Sequence, residues 1–215
     1  MRNGFKGLTV IFAAIMAVLS LWLLGACGAG SMKNVSERRS GYFAAADETL
    51  TVTAVSGVRE LPYVIDGVAG ELKPYTLITI VPSKFDVDAV YTFSATTEDG
   101  AFGGTFIAHP FAASFSAEFD CETKSDFTVA ITVGGHTTEY ALKSQVSADA
   151  FSYDKAIDAA RNELEPAEPY ELRVRMIKNP LGDGLCWHVA FYTAGGTASG
   201  VLLDPVTAKV IAKKN

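Results

Sequence analysis

The sequence predicts a mainly β protein that ends in a small α+β module, and three observations carry that expectation. Between residues 47 and 146, apolar side chains recur at every second position, the spacing of strands that bury one face. Residues 153–164 break the rhythm with apolar positions three and four apart, as on one side of a helix. Beyond Pro166 and Pro169 the two-residue rhythm returns. The chain has 215 residues and is 49% hydrophobic, so core-forming material is ample.

In the middle region, Leu50, Val52 and Ala54 alternate with threonines. Tyr75 to Val81 is apolar on both sides and reads as a central strand. Phe85, Val87, Ala89, Tyr91 and Phe93 alternate with polar residues, as do Phe115, Ala117, Phe119 and Cys121. Phe127–Val133 and His136–Lys143 flank Gly134-Gly135, a pair able to take the positive φ angles of a two-residue hairpin turn. In that register Phe127, Val129 and Ile131 oppose Leu142, Tyr140 and Thr138, which gives one apolar and one polar face. About seven such strands with regular turns predict an antiparallel sandwich of immunoglobulin-like type over 47–146. Phe102, Phe106, Phe111, Phe115 and Phe119 are expected in its core.

For residues 147–215 the expectation is a helix packed on a three- to four-stranded antiparallel sheet. Ser152 is placed to cap a helix in which Tyr153, Ala156, Ile157, Ala160 and Leu164 share a face. Tyr170, Leu172, Val174 and Met176 then alternate along one strand, and Leu185, Trp187, Val189 and Phe191 along the next. Ser199–Asp204 and Lys209–Ala212 complete the set.

The first 27 residues read as an address. Arg2 and Lys6 precede an apolar run from Leu8 to Leu24, broken only by Thr9 and Ser20. The run ends in Leu24-Gly25-Ala26-Cys27, which resembles the lipobox of bacterial lipoprotein precursors. The resemblance implies a signal peptide over 1–26, a Cys27 thiol carrying diacylglycerol, and an outer-face membrane location. An uncleaved transmembrane anchor is the competing reading, because the run reaches the ~17 residues that can cross a bilayer. Residues 27–46, polar and rich in small side chains, read as the lipidated cysteine and a flexible tether.

Trp187-His188-Val189, followed by Gly200-Val-Leu-Leu-Asp204-Pro-Val-Thr207-Ala-Lys-Val210, resembles the PepSY domain over roughly the last 65 residues. That family shows a tryptophan-x-valine strand and a closing D-x-x-T-G-x-V turn, here with Ala208 at the glycine position. PepSY domains occur in propeptides of secreted metallopeptidases and in envelope proteins. The resemblance implies a protein-binding module and a peptidase partner, with no catalysis of its own.

Charge and chemistry narrow the classes further. Residues 47–146 carry 5 basic and 14 acidic side chains, a balance that repels phosphate backbones and argues against nucleic acid. Asp86 with Asp88, and Glu118, Asp120 and Glu122, invite calcium, but alternate strand positions stand ~6.5–7 Å apart. A charged strand face is the expected reading, with no metal and no cofactor. His109, His136 and His188 fall in no zinc-protease motif. Cys186 and His188 share a strand face without an orienting third group, so no catalytic residue is assigned. Cys121 and Cys186 are expected as two buried thiols. The resulting expectation is a membrane-anchored, non-enzymatic binding protein. The alternative is a structural or adhesin-like envelope protein that binds wall polymer, carbohydrate or calcium through the acidic β region.

Overall fold

The computed structural model describes residues 33–166 and 168–214, so Leu24, Gly25, Ala26 and Cys27 lie outside the described residues. From Val35 to Ala46 the chain is one long strand, β1. This corrects the expectation of a flexible tether for residues 35–46, while 27–32 lie outside the described residues. The polar run Ser36-Glu37-Arg38-Arg39 cannot build an apolar core, but it does not need to. Both edges of β1 are taken by other strands, and Ser36 and Glu37 are buried.

The first half of the remaining chain forms β2 (Leu50–Glu60), β3 (Leu72–Pro82), β4 (Tyr91–Thr97), β5 (Gly100–Thr105) and β6 (Ile107–Ala108). It continues as β7 (Phe115–Phe119), β8 (Phe127–Val133) and β9 (His136–Ser144). Helix α1 (Tyr153–Leu164) leads into β10 (Glu171–Lys178), β11 (Leu185–Tyr192), β12 (Ala198–Leu203) and β13 (Val210–Lys214). One ladder runs β13-β12-β11-β10-β1-β2-β3-β7-β6, and a second runs β5-β4-β8-β9. All neighbours are antiparallel except β1 and β10.

Two segments join the ladders into an almost closed barrel. The chain from β5 to β6 passes from β4 to β7 around buried Phe106, whose N–H donates to the Tyr91 carbonyl. On the other side β1 pairs with β2 along its length, and its Phe43 and Ala44 also pair with Ser144 and Lys143 of β9. A register shift between Arg39 and Gly41 lets β1 turn from one neighbour, β10, to the next, β9. Opposite the bulge stands Gly57, where a Cβ would lie 2.1 Å from the Arg38 carbonyl oxygen. Only glycine allows that approach.

The barrel core contains Phe43, Val52, Ala54, Ile78, Ile80, Ala95, Phe115, Val129, Ile131 and Leu142. The hairpin forms in the register expected from the sequence, with Phe127↔Leu142, Val129↔Tyr140 and Ile131↔Thr138, and Gly134 and Gly135 at φ 57° and 80°. Two expectations fail. Phe85, Val87 and Ala89 precede β4 in a turn, and Phe85 and Val87 are exposed. Alternation alone does not make a strand where no neighbour offers a ladder. Phe111 is 93% exposed, because it sits in the turn between β6 and β7 and not on a strand face.

Beyond the barrel, β10–β13 extend the sheet from the first half of β1. Leu172, Val174, Met176, Trp187, Val189, Phe191, Val201 and Leu203 are buried on one side, where Ala156, Ile157 and Ala160 of α1 also bury. The Ser152 side chain makes no capping bond, although its carbonyl accepts the Ala156 N–H. A boundary at 146/147 is therefore crossed by sheet pairing, and residues 34–215 form one unit.

The closing turn follows from local chemistry. Asp204 Oδ1 accepts from the backbone N–H of Val206 and Thr207 and from the Thr207 hydroxyl, at 2.8–3.1 Å. Ala208 then takes φ +61°, a conformation that costs an L side chain about 1–2 kcal/mol. After allowance for the freer unfolded glycine chain, Ala208→Gly should raise stability by about 0.5–1 kcal/mol in urea unfolding. Equal or lower stability would contradict the left-handed turn.

Candidate functional site

The face of β10–β13 turned away from α1 carries the chemistry. Cross-strand pairing places two adjacent rows on it. One runs Tyr75, Gly57, Arg39, Arg175, His188, Leu202, Ala212. The other runs Lys73, Arg59, Glu37, Arg173, Ala190, Gly200, Lys214. Four arginines from β1, β2 and β10 thus stand within two rows of one surface.

Much of this charge is buried. Glu171 is fully buried and accepts from Arg173 Nη2 at 2.8 Å and Nε at 3.1 Å, and from Ser36 Oγ at 3.2 Å. Its other oxygen accepts the backbone N–H of Asp66 and Gly67 at 3.2 and 3.3 Å. Arg173 also donates to the Val64 carbonyl at 3.0 Å and lies between the rings of Tyr63 and Tyr192, at 4.1 and 5.1 Å from their centroids. Glu60 stands 3.8 Å from Arg173 and accepts the Gly70 N–H. Burial, opposed by that N–H, holds the Glu60 carboxyl above its ordinary range.

Glu37 is the second hub. It accepts the hydroxyls of Tyr63 and Tyr75, each at 2.7 Å, and has Arg175 Nη1 at 3.7 Å. Burial alone would raise its pKa. The two hydroxyls, then Arg39 and Arg175, outweigh burial and hold the carboxylate ionised below its usual range. Tyr63 is pushed up to about 12 by burial and by the Glu37 carboxylate, and Tyr75 is raised for the same reasons.

His188 is where this network meets open space. Arg175 Nη2 lies 3.1 Å from His188 Nδ1. A guanidinium only donates, so Nδ1 accepts and the ring proton resides on Nε2. Burial first, then Arg175 and Arg39, depress the imidazole to about 4, against an opposing pull from Glu37. Beside it, β11–β13 form an open groove of about 470 Å³, whose lining includes Ala190, Ala198, Gly200, Leu202, Ala212 and Lys214. A Cβ on Gly200 would lie 3.5 Å from His188 Nε2. The imidazole thus lines the groove beside the bare glycine.

This arrangement sets a polar ring beside apolar atoms. Neither His188 nor Cys186 is arranged as a base or a nucleophile. His188 has no free lone pair to take a proton, and Cys186 is fully buried with its thiol pushed up by desolvation. Cys121 and Cys186 are both free thiols.

The PepSY-like positions fall around the groove and its underside. Trp187 and Val189 are buried on the α1 side, with the Trp187 indole N–H donating to the Phe151 carbonyl at 3.2 Å. Gly200 lines the groove, Asp204 and Thr207 build the closing turn, and Val210 begins β13. The acidic cluster is partly neutralised: Glu118 pairs with Arg59 at 2.6 Å and Glu122 with Arg38 at 2.8 Å. Arg38 also stacks over the Tyr153 ring of α1. Among the described residues no three His, Cys, Asp or Glu side chains are grouped to hold a metal ion. Sequence reasoning missed the arginine rows. Arg39 lay in the supposed tether, and Arg59, Arg173 and Arg175 were not singled out.

The His188 environment sets a pH dependence. Its folded pKa lies below the ordinary 6.5, so the unfolded chain takes the proton first. Stability is complete above about pH 6.5 and falls as pH drops toward about 4. Glu37 adds a loss of the same sign at lower pH, and Glu60 one of opposite sign. His188→Gln, which keeps a neutral polar side chain, should lose about 2–3 kcal/mol less than the native chain between about pH 7 and pH 4.5 in urea unfolding. Equal losses would contradict the neutral imidazole. Comparison with protein-family models, with curated proteins and with solved structures found no match to this chain.

Proposed function

We propose that this chain is an extracytoplasmic lipoprotein, anchored through Cys27, that acts as a non-enzymatic binding module for a protein partner at the bacterial envelope. The observation that carries the binding role is the groove over β11–β13. It has an apolar floor of small residues, and its polar lining is His188, Tyr192, Ser199 and the two lysines of β13. The anchoring rests on the lipobox-like Leu24-Gly25-Ala26-Cys27 after its apolar run. The C-terminal order of one helix and four antiparallel strands is compatible with a PepSY-like module, and the barrel with an immunoglobulin-like sandwich. On the PepSY reading the partner is a secreted or membrane-bound peptidase. β13, at the end of its ladder, offers an edge for an extended peptide beside the groove.

A photo-cross-linking residue at exposed Lys213 on β13, used in intact cells, should capture one defined envelope protein, a peptidase on the PepSY reading. Capture should fail once Cys27→Ser releases the chain from the membrane fraction. Recovery of wall polymer alone would favour the structural, adhesin-like reading. A Cys27→Ser protein that stays membrane-bound would contradict lipid anchoring.

A further inference from the structure

The loop joining β2 to β3 shows an unusual combination of tight anchoring and apolar exposure. Leu61, Val64, Ile65 and Val68 are 50%, 44%, 52% and 69% exposed within eight residues. The loop is not loose. Its backbone is pinned through the Asp66 and Gly67 N–H groups to buried Glu171, and through the Val64 carbonyl to Arg173. Gly67 also packs on the turn after β11, where a Cβ would lie 2.5 Å from the Ala194 nitrogen. The polar backbone thus faces inward and the apolar side chains outward. Such contiguous exposure marks a contact surface more often than chance.

The position of the loop names its partner. Glu171, which holds the loop, also accepts from Ser36 Oγ, and the neighbouring Leu172 N–H donates to the Asn34 carbonyl. The loop therefore sits where the chain enters the folded unit. Cys27 lies seven residues before Asn34, a stretch that extends at most ~25 Å. A bilayer held at Cys27, or entered by the apolar run before it, is tied by this short stretch to the end of the folded unit that carries the loop. The turns at 83–90 and 179–184 mark the far end, since β10 leads away from the loop for eight residues, about 26 Å.

We infer that residues 61–68 form a membrane-contacting surface, seated in the interfacial zone of the bilayer that anchors the chain. The nearby charges set the mode of contact. Asp66 turns its carboxylate back onto the Val68 N–H, and Glu71 pairs with Lys73 at 2.7 Å. With these acids beside Lys73, the contact is apolar and does not require anionic lipid. It would fix the orientation of the groove, which shares Tyr192 with the pocket around Arg173, relative to the membrane plane.

The inference rests on the anchoring reading, and one experiment separates the two. The full lipidated chain is reconstituted in phosphatidylcholine vesicles and floated, with Ile65→Cys or Val68→Cys carrying an environment-sensitive fluorophore. Val87→Cys and Leu181→Cys, replacing residues 62% and 66% exposed at the far end, serve as references. The native Cys121 and Cys186 are buried, so the label goes to the introduced thiol. Lipid-borne quenchers should reduce the signal at 65 and 68 at least about threefold more than at 87 and 181. Protein that floats with equal quenching at all four sites overturns the membrane contact and leaves anchoring intact. Protein that does not float overturns the anchoring, and the contact falls with it.

Discussion

The parallel pairing of β1 with β10 is the constraint on which the rest of the structure depends. The strands before β10 build a barrel, β10–β13 build a sheet covered by α1, and β1 is the strand common to both. The buried Glu171–Arg173 pair lies on this seam, tied to Ser36 of β1 and to the loop after β2. Buried ion pairs contribute little net stability over apolar packing, but breaking one is costly. Their role here is specificity. A one-residue slip of β10 would carry Glu171 and Arg173 into the apolar layer under α1 and turn Leu172 and Val174 toward the loop.

That layout explains which elements were legible in the sequence. The hairpin of β8 and β9 depended on local alternation and a diglycine turn, so even its register could be read. Helix α1 was legible because Ala156, Ile157 and Ala160 repeat with helical period. β1 was not, because its first residues are polar and acquire burial only from partners distant in the sequence, on β2, β3 and β10. Phe85 to Ala89 show the converse: apolar alternation with no neighbouring strand to receive it. The arginine rows were invisible because their meaning lies in juxtaposition across β1, β2 and β10, not in spacing along the chain.

The same seam gives the candidate site its character. Arg175, held between Glu37 and His188, fixes the imidazole tautomer, and the ring lines the groove beside Gly200. A depressed imidazole pKa is often a sign of catalysis. Here the cause is structural, since desolvation and two guanidinium groups account for it and the lone pair is occupied.

Native-state hydrogen exchange on the mature protein tests the central claim most directly. If β1 is the shared spine, the amides of residues 36–39 exchange only through openings within about 1 kcal/mol of those that expose the slowest amides of β10. Exchange of residues 36–39 near the rate of an unstructured chain, with β10 still protected, would contradict the account.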